Sequence, residues 1–270
     1  MELTEALSTF FLALVQGATE FLPVSSSAHL IFLPRWFGWK DQGLAFDVAT
    51  HFGTLGAVLI YFRKRLVELS VASFQYLRTL EPSDNSRYTS YLLLATLPII
   101  VVGWLCKDLV ATHFRSVALI GSATLVFGVL LLLADRMGQR TKQDTELTAW
   151  IAMLIGIGQV LALVPGTSRS GITITCALVL GFTRTAAARF SFLLAIPTIG
   201  AASILTLIDL IGANEPVNWV ALAIATTTSF IAAYLCIEFF LKLVEKIGML
   251  PFVVYRVLLG GGLLLWVLWV

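Results

Sequence analysis

Charge is scarce in this sequence. Only 13% of its 270 residues are Asp, Glu, Lys or Arg, against about 25% in a soluble domain. Hydrophobic residues make up 58%. That imbalance excludes a separate soluble domain and predicts one integral membrane domain over 1–270. A strong basic excess is also absent. The net charge of +2 excludes nucleic acid as a partner and leaves membrane lipid as the surrounding medium. Cysteine is rare: Cys106, Cys176 and Cys236 lie far apart, each in an apolar run. That spacing excludes a disulfide framework or a cysteine metal cluster, and predicts small buried apolar residues. Low-complexity tracts and linkers are missing. The start, Met1-Glu2-Leu3-Thr4-Glu5, lacks the basic region of a signal peptide, so no cleavage is expected.

What is present is a series of apolar runs. Residues 46–62, 91–106, 116–134, 186–208, 218–241 and 251–270 read as full spans, the shorter ones adequate with their flanks. Residues 66–90 are polar enough for a surface segment, with a turn at Pro82-Ser83-Asp84-Asn85. A charged loop, Asp135 to Glu146, divides the chain. Tyr61, Tyr88, Trp150, Trp219, Trp266 and Trp269 stand at span ends and suit interfacial belts.

Two further apolar segments are interrupted. One contains Gln16-Gly17-Ala18-Thr19-Glu20-Phe21-Leu22-Pro23-Val24-Ser25-Ser26-Ser27-Ala28-His29. The other, within 149–182, contains Pro165-Gly166-Thr167-Ser168-Arg169-Ser170-Gly171-Ile172-Thr173. Proline and glycine break the preceding helix, and the serines are good caps for a new one. Setting Pro23 on Pro165 puts Ser26 on Ser168. Gln16 then falls one place from Gln159, and Thr54-Leu55-Gly56-Ala57 resembles Thr198-Ile199-Gly200-Ala201, at offsets of 142 to 144. This predicts an internal duplication, with repeat one about 1–134 and repeat two about 149–270.

Lys and Arg give the orientation. If the interrupted segments are re-entrant hairpins, loops on one side hold 13 basic residues, Arg63 to Arg256. The other side holds four: Arg35, Lys40, Lys107 and Arg115. The richer side is then cytoplasmic, and both termini are outside. Each repeat becomes one re-entrant helical hairpin plus three transmembrane helices. Three is odd, so the second repeat is inverted and the hairpin tips meet near mid-bilayer. Paired interrupted segments of this kind point to a site at a repeat interface.

The residues at the tips carry chemistry. A lone arginine in hydrocarbon costs roughly 2.5–3.5 kcal/mol on the lenient insertion scale, so Arg169 is expected at a functional site. The start of a helix after Ser168 and Ser170 suits an anion. Gln16 and Glu20 share a helix face. Glu20 reads as an oxygen ligand for Mg²⁺ or Ca²⁺, with Gln16 assisting through its amide oxygen, or as a general base; a carboxylate merely hydrogen-bonded between helices is the plainer alternative. One of Ser25, Ser26 and Ser27 caps the returning helix. His29, three residues after Ser26, can share a face with it. His51 and His113 read as hydrogen-bonding residues only. Together the tips suit phosphoryl transfer: cation and arginine to neutralise oxygens, serine or histidine as nucleophile or base.

At these residues the chain closely resembles the bacterial undecaprenyl-diphosphate phosphatases, the family linked to bacitracin resistance. The likeness runs the whole length. Gln16-xxx-Glu20 matches the family's (Glu/Gln)-xxx-Glu signature, continued by Phe21-Leu22-Pro23-Val24-Ser25-Ser26 and His29. Pro165-Gly166-x-Ser168-Arg169-Ser170-x-x-Thr173 matches its second signature. The resemblance implies hydrolysis of undecaprenyl diphosphate to the monophosphate carrier of cell-wall synthesis. It implies divalent-metal dependence and a site in the bacterial cytoplasmic membrane, open to its outer side. The substrate partner would be a polyprenyl diphosphate; a homodimer is left open. Glu20, Ser26, His29 and Arg169 become the expected catalytic residues, and Glu20 with Gln16 the metal ligands. Ser25, Ser27, Gly166, Thr167, Ser168, Arg169, Ser170 and Thr173 become the expected substrate-binding set. Many members have Glu where this chain has Gln16, so Glu20 would be the principal charged ligand or base. The nucleophile stays open between Ser26, His29 and a water activated by His29.

A competing class is a lipid-phosphate transporter or flippase, because inverted repeats with broken helices are a transporter architecture. It would need the same anion cradle but no nucleophile. The cluster of Glu20, Ser26 and His29 is more than binding requires.

Overall fold

The computed structural model describes residues 3–40, 42–114, 116–213 and 218–269. Of the residues weighed above, Met1, Glu2 and Arg115 lie outside the described residues. The described chain is helical, and its one β-bridge, Lys142 with Phe182, is isolated.

The first interrupted segment folds as α1 (Leu3–Glu20) and α2 (Ser26–Phe37), joined by a tight turn. α3 (Gly43–Tyr61) follows, then the polar segment as α4 (Arg63–Thr79). α5 (Asp84–Leu105) starts on a capping box, with Ser83 and Ser86 satisfying each other's backbone N–H groups. A short α6 (Lys107–His113) leads to α7 (Val117–Met137), capped by Ser116. The second interrupted segment folds as α8 (Ala149–Gln159), a 3₁₀ turn at Val160–Leu163, and α9 (Arg169–Val179). Three long helices close the chain: α10 (Arg184–Ala213), α11 (Trp219–Ile247) and α12 (Leu250–Trp269). Six helices are long and apolar enough to cross a membrane: α3, α5, α7, α10, α11 and α12. They coincide with the six apolar runs of the sequence, and α5 begins seven residues earlier than its run because Ser83 can cap it there.

The packing exchanges parts between the halves of the chain. α1 packs on α11, whereas α8 packs on α5; α3 meets α10 and α11, and α7 lies along α12. Small residues permit the close approaches, as is usual for helices in hydrocarbon. A methyl group added to Gly17 of α1 or to Gly53 of α3 would strike Ser229 of α11. The main apolar core gathers around α9 and α10, with Phe21 of the first turn packed edge-on against Phe192 at 5.3 Å.

Four expectations change. Tyr88 is buried at 5% exposure, so it belongs to the core rather than to an interfacial belt. The three cysteines are half-buried rather than buried. Asp135 is not a solvated loop residue. It is buried and paired with Arg184 through two hydrogen bonds of 2.6 and 2.9 Å. Arg256, assigned above to the cytoplasmic loops, is fully buried within α12. Removing it leaves a bias of twelve basic residues to four.

Candidate active site

The two turns share an unusual backbone. The residue before α2 is Ser25, with φ 72°, and the residue before α9 is Ser168, also with φ 72°. Left-handed backbone is uncommon outside glycine. Finding it at both turns sets the structural register at Ser25 on Ser168. The alignment above, which put Ser26 on Ser168, is therefore shifted by one residue. In the corrected register Gln16 falls on Gln159 without a gap. The first residues of the two returning helices are then Ser26 and Arg169.

Both of those residues reach one carboxylate. Ser26 Oγ donates to Glu20 Oε2 at 2.8 Å, and Arg169 Nη2 donates to Glu20 Oε1 at 3.2 Å. Gln16 Nε2 also donates to Glu20 Oε2, at 2.9 Å. This pair is well shielded: the side chains of Arg169 and Glu20 are 11% and 8% exposed. Arg169 is held from two further sides. Its Nη1 donates to the Ser191 carbonyl at 3.0 Å, and its guanidinium lies 5.8 Å from the centre of the Phe21 ring.

Above this cluster opens a cavity of 580 Å³. Gln16, Ser26 and Ser27 reach its wall, as do Asp47 and His51 of α3; Arg35 and Lys107 also line it. Ser26 therefore lines the cavity while its hydroxyl donates to a buried carboxylate. An apolar groove of 560 Å³ adjoins the cavity, sharing Gly103, Lys107 and Leu163 with it. Its walls are mostly apolar, with Ile99, Trp104 and Leu205, and also include the ion-paired Lys107 and Asp209.

The other expected residues are placed differently. His29 is buried on α2, and its nitrogens are engaged away from Ser26. Nδ1 lies 2.7 Å from the Ser25 carbonyl, and Nε2 meets the Tyr255 hydroxyl. A carbonyl can only accept, so Nδ1 carries the proton. Ser25 makes no side-chain cap to α2; its hydroxyl lies 3.2 Å from that of Ser27. In the second turn and the helix it starts, the hydroxyls of Ser168, Ser170 and Thr173 have protein partners. Ser168 accepts from Gly171 N at 3.1 Å, Ser170 donates to the Leu22 carbonyl at 2.8 Å, and Thr173 lies 2.7 Å from Ser191 Oγ. Thr167 is buried with its hydroxyl unpartnered. Gly166 takes φ 97°, with its N–H donating to Ser27 Oγ at 3.5 Å. None of these second-turn residues lines the cavity, although their neighbour Pro165 does.

A family model for the bacitracin resistance protein BacA matches residues 9–262. The chain belongs to that family. It is also 51% identical over 262 residues to a Saccharophagus degradans protein named undecaprenyl-diphosphatase, covering 96% of this chain and 97% of the relative.

Membership of the BacA family makes the unforeseen neighbours of the site worth naming. Ser191 was hidden in an apolar run, with no local signal beyond one hydroxyl. Tyr255 lies in the last apolar run and was not singled out. His51 reaches the cavity although it read as a hydrogen-bonding residue only, and Asp47, whose carbonyl its Nδ1 contacts at 2.7 Å, lines the cavity with it. The i,i+4 spacing of these two on an amphipathic stretch could have flagged them. Arg256 was detectable, since the cost that singled out Arg169 applies equally to an arginine inside the last apolar run.

Proposed function

We propose that this chain hydrolyses undecaprenyl diphosphate to undecaprenyl phosphate and inorganic phosphate, which recycles the cell-wall lipid carrier and opposes bacitracin. One observation carries the reading beyond family membership. The hydroxyl of Ser26, a residue of the cavity wall, is hydrogen-bonded to a carboxylate that is itself held by an arginine from the other hairpin. That is a nucleophile, its base and a phosphate-binding cation within one cluster. Glu20 takes the Ser26 proton as Oγ attacks the terminal phosphorus. The P–O bond to the bridging oxygen breaks, and the lipid monophosphate leaves carrying the proton from Glu20. Water, losing its proton to the freed Glu20 carboxylate, then attacks the phosphoserine; the Oγ–P bond breaks, inorganic phosphate leaves, and Glu20 returns the proton to Ser26 Oγ. Arg169 neutralises phosphate oxygens throughout. The uncapped N-terminus of α2 offers its backbone N–H groups to the same anion. His29, bonded away from Ser26, holds the first turn.

A divalent cation, Mg²⁺ or Ca²⁺, fits the donor set. Gln16 Oε1 is buried without a hydrogen-bond partner beside the Glu20 carboxylate, and hard cations take oxygen ligands. No cluster of three or more His, Cys, Asp or Glu side chains forms among the described residues. The remaining ligands would come from the diphosphate and water. Such an ion supplies neutralisation of the diphosphate charge.

The polyprenyl chain takes the apolar groove beside the cavity, which has the right polarity and shares its wall. The two hairpins are re-entrant, the halves are inverted repeats, and the site opens to the outer face of the bacterial cytoplasmic membrane. The equal φ at the two turns, the exchanged packing of α1 and α8 and the twelve-to-four basic bias support this arrangement. Every group of the cluster comes from one chain, so a homodimer is not required for the chemistry.

The test is phosphate release from a C55 diphosphate by purified protein, with and without chelator. Release that chelator abolishes and Mg²⁺ or Ca²⁺ restores is expected. No release by folded protein in Mg²⁺ would overturn the phosphatase, and full activity in chelator would remove the metal. Orientation is tested by cysteines placed near Asn214, which lies outside the described residues, and near Gln139, after the native cysteines are replaced. Only the first should react with an impermeant thiol reagent added from outside.

A further inference from the structure

A fully buried arginine normally faces a carboxylate, because an unpaired charge in a low-dielectric interior is costly. Arg256 is 0% exposed and forms no ion pair among the described residues. Its guanidinium is instead committed to four backbone carbonyls. Nε donates to Thr124 O at 3.1 Å, Nη1 to Pro23 O at 3.2 Å and to Thr167 O at 3.0 Å, and Nη2 to Gly166 O at 3.0 Å. Pro23 belongs to the first turn, Gly166 and Thr167 to the second, and Thr124 to α7. Four of the five N–H donors of one planar group thus join both turns to the α7–α12 helix pair.

We propose that Arg256 is a positioning residue for the phosphoryl-transfer site, acting by locking the two turns into one register. The inference rests on the phosphatase reading for its kinetic consequence but not for its geometry. Ser26 and Arg169 are the first residues of the helices that leave the two turns, and they meet on Glu20 from opposite hairpins. Few other bonds tie turn to turn: Ser170 to the Leu22 carbonyl at 2.8 Å, and Gly166 N to Ser27 at a long 3.5 Å. Arg256 also gathers the turn carbonyls on the side of α12, where their partial negative charge is neutralised. A lysine keeps the charge but has no rigid fork, so it cannot hold carbonyls from both turns in one plane.

The experiment compares wild type, Arg256→Lys and Gly128→Ala in detergent. Gly128 is the second variant because a methyl there would lie 3.1 Å from Cβ and 3.3 Å from Nε of Arg256. It displaces the arginine without removing it. Two quantities are read on folded protein: kcat and KM for the lipid diphosphate, and hydrogen exchange of the amides in 23–28 and 165–171. Misplacement of reacting groups by about 1 Å can cost about 10²-fold in rate. Arg256→Lys is therefore expected to lose kcat on that order, with KM within about threefold of wild type, and to exchange faster in both turns together. Gly128→Ala should show the same pattern more weakly. In an Arg169→Lys background, Arg256→Lys should add little, because the aligned group is already lost. Unchanged kcat and unchanged exchange in either folded variant would overturn the proposal, and Gly128→Ala decides alone if the lysine variant does not fold. Wild type that releases no phosphate would sink the phosphatase reading, while linked loss of protection in both turns would still support the lock.

Discussion

The two helical turns share a left-handed serine and have opposite surroundings. Each places a serine at φ 72° before a returning helix. The first is open: Ser25 leaves α2 uncapped, and Ser26 and Ser27 line the cavity. The second is closed: Ser168 caps α9, Ser170 bonds across to the first turn, and neither lines the cavity. The difference follows from what each hairpin must deliver. The first brings Ser26 to the cavity wall and leaves the start of α2 without a side-chain cap, where an anion can bind. The second holds Arg169 between Glu20 and the Ser191 carbonyl, with Ser168 and Ser170 bonded to protein. One backbone device thus presents Ser26 in one place and Arg169 in the other, and both arrive at Glu20.

The contrast makes graded predictions. The largest effect belongs to the open turn. Ser26→Ala should lose at least the roughly 10²–10⁴-fold in kcat that proton-transfer assistance supplies, while the lipid diphosphate still binds. Glu20→Gln should fall as far and weaken the metal response as well. Folded Ser26→Ala with near-normal kcat would mean that the Ser26 hydroxyl is idle, and would revive the transporter.

Next is the cation that the closed turn delivers. Arg169→Lys should be severely impaired, by about tenfold to a hundredfold in kcat/KM, because an ammonium cannot span Glu20, the Ser191 carbonyl and a phosphate together. Wild-type turnover by the lysine variant would reduce Arg169 to a point charge.

His29 distinguishes chemistry from support within the open turn. Its nitrogens face Ser25 and Tyr255, so His29→Gln should lose only about tenfold, well below the loss expected for a general base. A loss equal to that of Ser26→Ala, in folded protein with normal substrate binding, would return the histidine to the catalytic step.

The smallest kinetic effect is expected from the closed turn's own hydroxyl. Ser168→Ala removes a helix cap and should cost about 1 kcal/mol of stability, with the kcat of the folded fraction near wild type. Thermal unfolding and kcat on the same preparation check both halves. A large kcat loss without loss of stability would show that Ser168 touches the phosphate, and would erase the contrast between the turns.

Much of the molecule was legible in the sequence because it is governed by local chemistry. Hydropathy alone located the six long helices, since a span must be continuously apolar and internally hydrogen-bonded. Proline, glycine and serine marked both turns, because each acts on the backbone within a few residues. The cost of charge in hydrocarbon singled out Arg169, and the Gln16–Glu20 spacing put those two side chains on one helix face, as their 2.9 Å hydrogen bond bears out. The register between the turns was off by one, since aligning prolines does not report which residue adopts a left-handed φ.

What the tertiary structure decided is how the side chains are partnered. The sequence marks Ser26, His29, Ser168, Ser170 and Thr173 alike as polar groups near a turn. Only the packing of α10 and α12 against the hairpins sends His29 to Tyr255 and Thr173 to Ser191; the packing of the two turns on each other sends Ser170 to Leu22, and Ser26 is left lining the cavity. Arg256 is the clearest case. Its place in an apolar run marks it as costly but does not say what it binds, and its four carbonyl partners lie 89 to 233 residues away in the chain. Hydrogen-bond partners over such separations depend on which helix faces meet, and those faces are set by the whole packed bundle rather than by the spacing of residues along any one segment.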